Sequence, residues 1–235
     1  MLGLLIILVI SWVLLRFVEK KNIDVLGVIP YPKRLTQFIL GFIFIVLVTL
    51  INIGVETFVL KVKWELQSTF NYKLFFGAVV YHLKSALTED LVFRGALLYI
   101  LIHKLGAKWA ILISALFFGV YHVFSYGMIA DRWIAIVYVI LVTGFTGYVW
   151  AYTFYKTKSI MMGLGFHLGV NLINACFFES QPYGEILFQK VSSIDVNDWN
   201  WLFFNLFKGL FPSIATLVCL KLLLKSKLYS KIEKK

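Results

Sequence analysis

The sequence predicts an all-α fold, a polytopic transmembrane helical bundle. Of the 235 residues, 60% are hydrophobic and 17% are aromatic, and the mean hydropathy of +0.85 exceeds that of water-soluble domains. Seven apolar runs approach or exceed the roughly 20 residues that cross a hydrocarbon core about 30 Å thick. They are residues 2–18, 38–60, 74–102, 109–124, 133–155, 159–178 and 201–224. The third run is long enough to be tilted or broken. We therefore expect about seven spans, or eight if this run forms two.

Basic residues are distributed unequally between the loops that join these runs. With the N-terminus outside, the inner loops contain Arg16, Lys20, Lys21, Lys33, Arg34, Lys104, Lys108, Lys156 and Lys158. The outer loops contain only Lys61, Lys63, Lys73, Arg132 and Lys190. This asymmetry predicts a multi-pass protein of the cell membrane whose basic C-terminal tail, residues 221–235, is cytoplasmic. The net charge of +11 indicates contact with anionic lipid and requires no nucleic acid.

Three of the apolar runs contain polar clusters, at residues 88–95, 117–122 and 165–171. Ionisable groups inside spans are unfavourable and usually face one another or a wet cavity. In the first cluster, Asp90 and Arg94 are four residues apart and share a helix face, which favours a pair. Glu89 is turned about 140° from Arg94 and is left as the unpaired carboxylate, a candidate general base. A purely structural ion-pair network is the alternative.

The second cluster contains His122, one helical turn after Phe118, so the ring stacks against the histidine. A histidine that only hydrogen-bonds to a neighbouring helix is the alternative to a catalytic one. Counted along each span at about 1.5 Å per residue, Glu89, His122, His167 and Asn171 lie roughly 12 to 20 Å from the inner surface. The three clusters are therefore expected to meet in one layer of the membrane.

The third cluster places His167 and Asn171 one turn apart on a helix. Gly165 and Gly169 form a small-residue stripe beside them, which lets another helix approach closely. Hydrogen bonding that merely holds helices together would explain this pattern. An imidazole and an amide on one face are also the donors that an oxyanion needs.

Taken together, these motifs resemble the CPBP family of intramembrane proteases, also called the Abi family. That family includes the CAAX prenyl endopeptidases and bacterial proteins linked to bacteriocin processing and self-immunity. The motifs that carry the resemblance are Glu89-Asp90-x-x-x-Arg94, Phe118-x-x-x-His122 and His167-x-x-x-Asn171. Each lies in its own span and they occur in the family's order, so the resemblance covers residues 74–178.

The resemblance implies an endopeptidase that cleaves a membrane-associated peptide, with prenylated peptides as one candidate class. It implies that Glu89 and His122 activate a water molecule and that His167 and Asn171 stabilise the oxyanion. Arg94 would organise the first motif, with Phe118 in support. The resulting organisation is N-terminal spans in 1–73, a catalytic core in 74–178, and an outer loop, last span and basic tail in 179–235.

One residue departs from the family pattern. The family's common second glutamate is Asp90 here, and its shorter side chain suits a local pair with Arg94 rather than a direct catalytic role. We therefore count Asp90 as a supporting residue.

Two alternatives to this mechanism remain at the level of the sequence. Glu89, His122 and His167 together have the ligand types of an open catalytic zinc site, but no compact ligand motif supports zinc, so no cofactor is predicted. A non-catalytic immunity or binding protein, or a proton-coupled transporter, would also place carboxylates in spans. A base, a histidine partner and oxyanion donors in one chain favour the enzyme. The expected partners are membrane lipids and a peptide or protein substrate.

Overall fold

In the computed structural model, which describes residues 2–226 and Tyr229, the chain forms α-helices α1 to α8 and a small sheet. The helices are α1 (Leu2–Leu14), α2 (Tyr31–Val59), α3 (Tyr72–Arg94), α4 (Ala96–Leu105), α5 (Ala107–Ser125), α6 (Trp133–Thr157), α7 (Met161–Phe177) and α8 (Asp198–Lys225). The strands are β1 (Lys63–Leu66) and β2 (Phe188–Ser192). The predicted all-α bundle is confirmed. Of the tail predicted to be cytoplasmic, residues 227–228 and 230–235 lie outside the described residues.

Among the described residues, five helical segments are long and apolar enough to cross a membrane. They are Leu2–Glu19, Ile23–Val59, Ala107–Ser125, Trp133–Thr157 and Trp199–Lys225. Helix α7 is apolar but has only 17 residues, and α3 is less apolar because it contains Lys73, Lys84, Glu89, Asp90 and Arg94. The chain is a multi-pass membrane protein, and the predicted number of seven spans is approximate.

The third predicted apolar run is broken at Gly95, between the end of α3 and the start of α4. A side chain at this position would collide with the carbonyl oxygen of Leu91, so the break requires glycine. Helix α5 is joined to the break by the Ser114 hydroxyl, which donates to the carbonyl oxygen of Phe93 over 2.8 Å. The last turn of α3, which contains Asp90 and Arg94, is therefore fixed against α5.

Helix α7 packs closely against α2 through the predicted small-residue stripe. A Cβ atom on Gly165 would collide with the carbonyl oxygen of Phe38, and one on Gly169 with the side chain of Ile45. His167 lies two residues after Gly165, about 200° around the helix. Close packing of the glycine face on α2 therefore turns His167 away from α2 and towards α3.

The two-stranded antiparallel sheet, which the sequence analysis did not predict, joins the segment after α2 to the segment after α7. Lys63 lies opposite Ser192 and Leu66 opposite Phe188. The Trp64 indole packs edge-on against Phe177, with ring centroids 5.3 Å apart. This packing holds β1 against the end of α7.

Candidate active site

Three helices bring the polar clusters together around the carboxylate of Glu89. Glu89 comes from α3, His122 from α5 and His167 from α7. The Oε2 atom of Glu89 lies 3.9 Å from Nε2 of His122 and 3.8 Å from Nε2 of His167. The Glu89 side chain is 16% exposed and that of His167 only 5%. One largely buried carboxylate oxygen thus lies beside two imidazole rings.

The two oxygens of Glu89 have different surroundings. The Ser85 hydroxyl, one turn earlier on α3, donates to Oε1 over 3.2 Å. The Oε2 atom is buried and has no hydrogen-bond partner among the described residues. Ser85 therefore fixes the orientation of the carboxylate, and Oε2 is the oxygen left for substrate or water. The sequence analysis did not single out Ser85.

His122 is oriented by its own helix and by aromatic rings. Its Nδ1 atom lies 2.8 Å from the carbonyl oxygen of Phe118, which requires the hydrogen to be on Nδ1. The Phe118 ring packs edge-on against the imidazole at 4.4 Å between centroids, and the Tyr126 ring lies at 5.2 Å. In the neutral ring, Nε2 is then a hydrogen-bond acceptor directed at Glu89.

The ion pair predicted from the spacing of Asp90 and Arg94 is present and buried. Arg94 Nε donates to Asp90 Oδ1 over 2.9 Å, and Nη2 donates to the same oxygen. Asp90 is 1% exposed and Arg94 2%. The guanidinium also lies over the rings of Phe118, at 4.2 Å, and Trp150, at 5.1 Å, an arrangement that stabilises a cation.

Asp90 has a second neighbour that the sequence analysis missed. Its Oδ1 atom lies 3.5 Å from Nδ1 of His167, so the His167 ring lies between the carboxylates of Asp90 and Glu89. The Trp150 ring packs against this imidazole with centroids 4.6 Å apart. Asp90 therefore connects Arg94 to His167 and orients the histidine ring.

Asn171 lies one turn beyond His167 on α7 and is partly buried. Among the described residues, no hydrogen bond joins its side chain to those of Glu89, His122 and His167. Its amide is therefore not held by the other site residues.

Several atoms of the cluster lack the partners that buried polar groups normally have. Among the described residues, four such side-chain atoms belong to this cluster: Glu89 Oε2, Asp90 Oδ2, Arg94 Nη1 and His167 Nδ1. Unsatisfied buried polar groups destabilise a fold and commonly mark functional positions. The cluster therefore offers acceptors and donors to a bound water molecule and a polar substrate.

The same residues are a poor fit for zinc in this arrangement. Among the described residues, no group of three or more His, Cys, Asp or Glu side chains is arranged to hold a metal ion. Tetrahedral ligands at about 2.0 to 2.1 Å from zinc would lie about 3.4 Å apart. The Glu89–His122 and Glu89–His167 separations are 3.9 and 3.8 Å, so the site would have to contract around the ion.

Comparison with known proteins supports the family resemblance. Residues 71–173 match the type II CAAX prenyl endopeptidase Rce1-like family. The match runs from the start of α3 into the last turns of α7 and contains all three motifs. No curated protein and no solved structure matches the chain. Residues 71–173 are therefore an Rce1-like domain, which supports the predicted CPBP and CAAX protease family and implies an intramembrane endopeptidase.

Proposed function

We propose that the protein is a glutamic-type intramembrane endopeptidase, in which Glu89 and His122 activate a water molecule that hydrolyses a peptide bond. The observation that carries this proposal is the position of Glu89 Oε2, buried, without a hydrogen bond and within 4 Å of His122 and His167. Unlike the carboxylate of Asp90, that of Glu89 forms no ion pair with a lysine or arginine among the described residues. Asp90 and Arg94 form the structural pair, and Glu89 is separate from it.

The distance between Glu89 and His122 suits a bridging water molecule. At 3.9 Å, Oε2 and Nε2 are too far apart for a direct hydrogen bond, and both are acceptors when the histidine is neutral. A water molecule between them donates one hydrogen to each and keeps its lone pairs for attack. As its oxygen bonds to the carbonyl carbon, one proton passes to the Glu89 carboxylate.

The negative charge that develops on the carbonyl oxygen needs donors nearby. We assign this role to His167 and to the amide of Asn171, one turn further along α7. His167 donates from Nε2 when that nitrogen carries hydrogen, and the Asp90 carboxylate, 3.5 Å from Nδ1, orients the ring. Collapse of the intermediate breaks the C–N bond, and Glu89 returns its proton to the leaving amine.

The proposed substrate is a peptide that is itself held at the membrane. The family is described by its action on prenylated CAAX proteins, so prenylated peptides are the first substrates to test. We place the protein in the cell membrane with the N-terminus outside and the C-terminal tail in the cytoplasm, as the loop charges predict.

Hydrolysis should not depend on a metal ion. Protein in liposomes should continue to cleave a prenylated reporter peptide after prolonged chelation, because Glu89 and His122 activate the water molecule directly, and metal analysis should find substoichiometric zinc. Activity that chelation abolishes and added zinc restores would contradict this mechanism. Stoichiometric zinc that disappears in His167→Ala would make His167 a ligand.

Loss of either oxyanion donor should slow the chemical step. His167→Ala and Asn171→Ala should each lower kcat about 10²- to 10³-fold with little change in substrate binding. The rate of reporter cleavage at saturating peptide measures this effect. Asn205→Ala is a matched control, since Asn205 lies on α8 and its amide donates to the carbonyl oxygen of Trp201 on the same helix. Equal kcat values in Asn171→Ala and Asn205→Ala would show that the Asn171 amide does not stabilise the oxyanion.

A further inference from the structure

A polar cavity lies next to the candidate active site but does not contain its residues. Its volume is about 350 Å³, and helices α2, α6, α7 and α8 form its walls. Trp150 lies in the wall of this cavity, and the same ring packs against His167. We call this space the α2–α8 cavity. The Trp150 ring therefore contacts both the cavity and the catalytic cluster.

An ion pair with a buried carboxylate lies in the wall of the α2–α8 cavity. Lys208 of α8 binds Glu56 of α2 with 2.7 Å between Nζ and Oε2, and the Glu56 side chain is 6% exposed. Charged groups in membrane-spanning helices are unfavourable and commonly mark binding sites or pathways. Because the two charges cancel, the cavity favours a ligand that is polar but has no net charge.

The wall also contains polar atoms without partners. Thr49 is 2% exposed, and neither its hydroxyl nor the Oδ1 atom of Asn52 has a hydrogen-bond partner among the described residues. Both residues line the cavity and lie on the same face of α2 as Glu56, at spacings of three and four residues. The other end of the Asn52 amide donates to the backbone carbonyl oxygen of Lys208 over 3.0 Å. Asn52 is therefore held with Oδ1 available as an acceptor.

We propose that the α2–α8 cavity binds the uncharged backbone of an extended peptide. A peptide amide has both the N–H that Asn52 Oδ1 lacks and the carbonyl oxygen to which the Thr49 hydroxyl can donate. The volume is in the range of cavities that hold small ligands. This inference rests on the proposed function, because a peptide in the cavity would extend along Trp150 towards His167. The cavity would then bind the part of the substrate that flanks the cleaved bond.

Binding can be measured without turnover in the Glu89→Gln protein, reconstituted in phosphatidylcholine vesicles. The probe is a terminally blocked, uncharged pentapeptide with a photoreactive side chain. We expect cross-links to residues of α2 and α8 that line the cavity. Thr49→Val, which keeps the side-chain shape, and Asn52→Leu should each weaken labelling about threefold to tenfold, as the loss of one hydrogen bond does. Thr143→Val is the control, since this hydroxyl binds the carbonyl oxygen of Val139 within α6 and does not line the cavity.

Labelling that is equal in Thr49→Val, Asn52→Leu and Thr143→Val would overturn the proposal, provided that all three variants have the thermal stability of the parent. Labelling that phosphatidylethanolamine in the vesicles abolishes would also overturn it, since the cavity would then bind a lipid headgroup. Failure of the proposed function is a separate result. If the wild-type protein never cleaves a peptide but labelling still depends on Thr49, the cavity binds peptide and the proposed catalysis is wrong.

Discussion

Glu89→Gln should reduce peptide cleavage by about 10²- to 10⁴-fold, the range for loss of a general base. Glutamine keeps the size of the side chain and an oxygen that can accept a hydrogen bond from the Ser85 hydroxyl. Its amide, however, cannot take a proton from water. His122→Ala should have a similar effect, because it removes the second acceptor of the proposed water molecule. The initial rate of reporter cleavage in liposomes measures both variants.

A matched glutamate elsewhere in the chain separates this effect from a general loss of charge. Glu65 lies on β1 and is exposed, so Glu65→Gln should cleave the reporter at the parent rate. Thermal unfolding of all three variants should match the parent within a few degrees. Cleavage near the parent rate in Glu89→Gln would exclude Glu89 as the base, and activity that is lost equally in Glu65→Gln would show that the assay responds to charge alone.

The sequence predicts those parts of the fold that depend on hydropathy along the chain. Apolar runs predict the helices because each helix must cover about 30 Å of hydrocarbon. The position of the break at Gly95 is not visible in the same way, since the length of the third run allows a break without locating it. It depends on packing of α5, where Ser114 reaches the carbonyl oxygen of Phe93. The sheet of β1 and β2 depends on pairing between residues more than a hundred positions apart. No local sequence pattern predicts such a pairing.

In the candidate site, too, contacts within one helix could be predicted from the sequence, whereas contacts between helices could not. The pair of Asp90 and Arg94 follows from a spacing of four residues, and the same rule applied to Ser85 and Glu89 would have found the hydrogen bond that orients the base. The approach of Asp90 to His167 joins α3 to α7, so local spacing does not predict it. Trp150 carries no polar signal and is one apolar residue in a long apolar helix, although its ring contacts both Arg94 and His167.

The ion pair of Asp90 and Arg94 should have the largest effect on stability. Asp90→Asn leaves the buried Arg94 guanidinium without a negative charge to pair with, and Arg94→Gln leaves the buried Asp90 carboxylate without its cation. A buried charge that loses its partner destabilises a fold by about 3 to 5 kcal/mol. Each variant should therefore unfold at a lower temperature and accumulate poorly in the membrane.

The double variant Asp90→Asn with Arg94→Gln tests whether the two charges act as a pair. Because no uncompensated charge is left, it should lose less stability than the sum of the single variants, and thermal unfolding in detergent measures the difference. Lys104→Gln is the control, since the Lys104 side chain is 59% exposed and lies 3.7 Å from Glu19, so that water solvates the lysine charge and the substitution should cost less than breaking a fully buried pair. Single variants that unfold like Lys104→Gln would mean that the buried pair does not hold the last turn of α3. Glu89 would then be positioned by Ser85 and by the packing of α3 against α5 and α7.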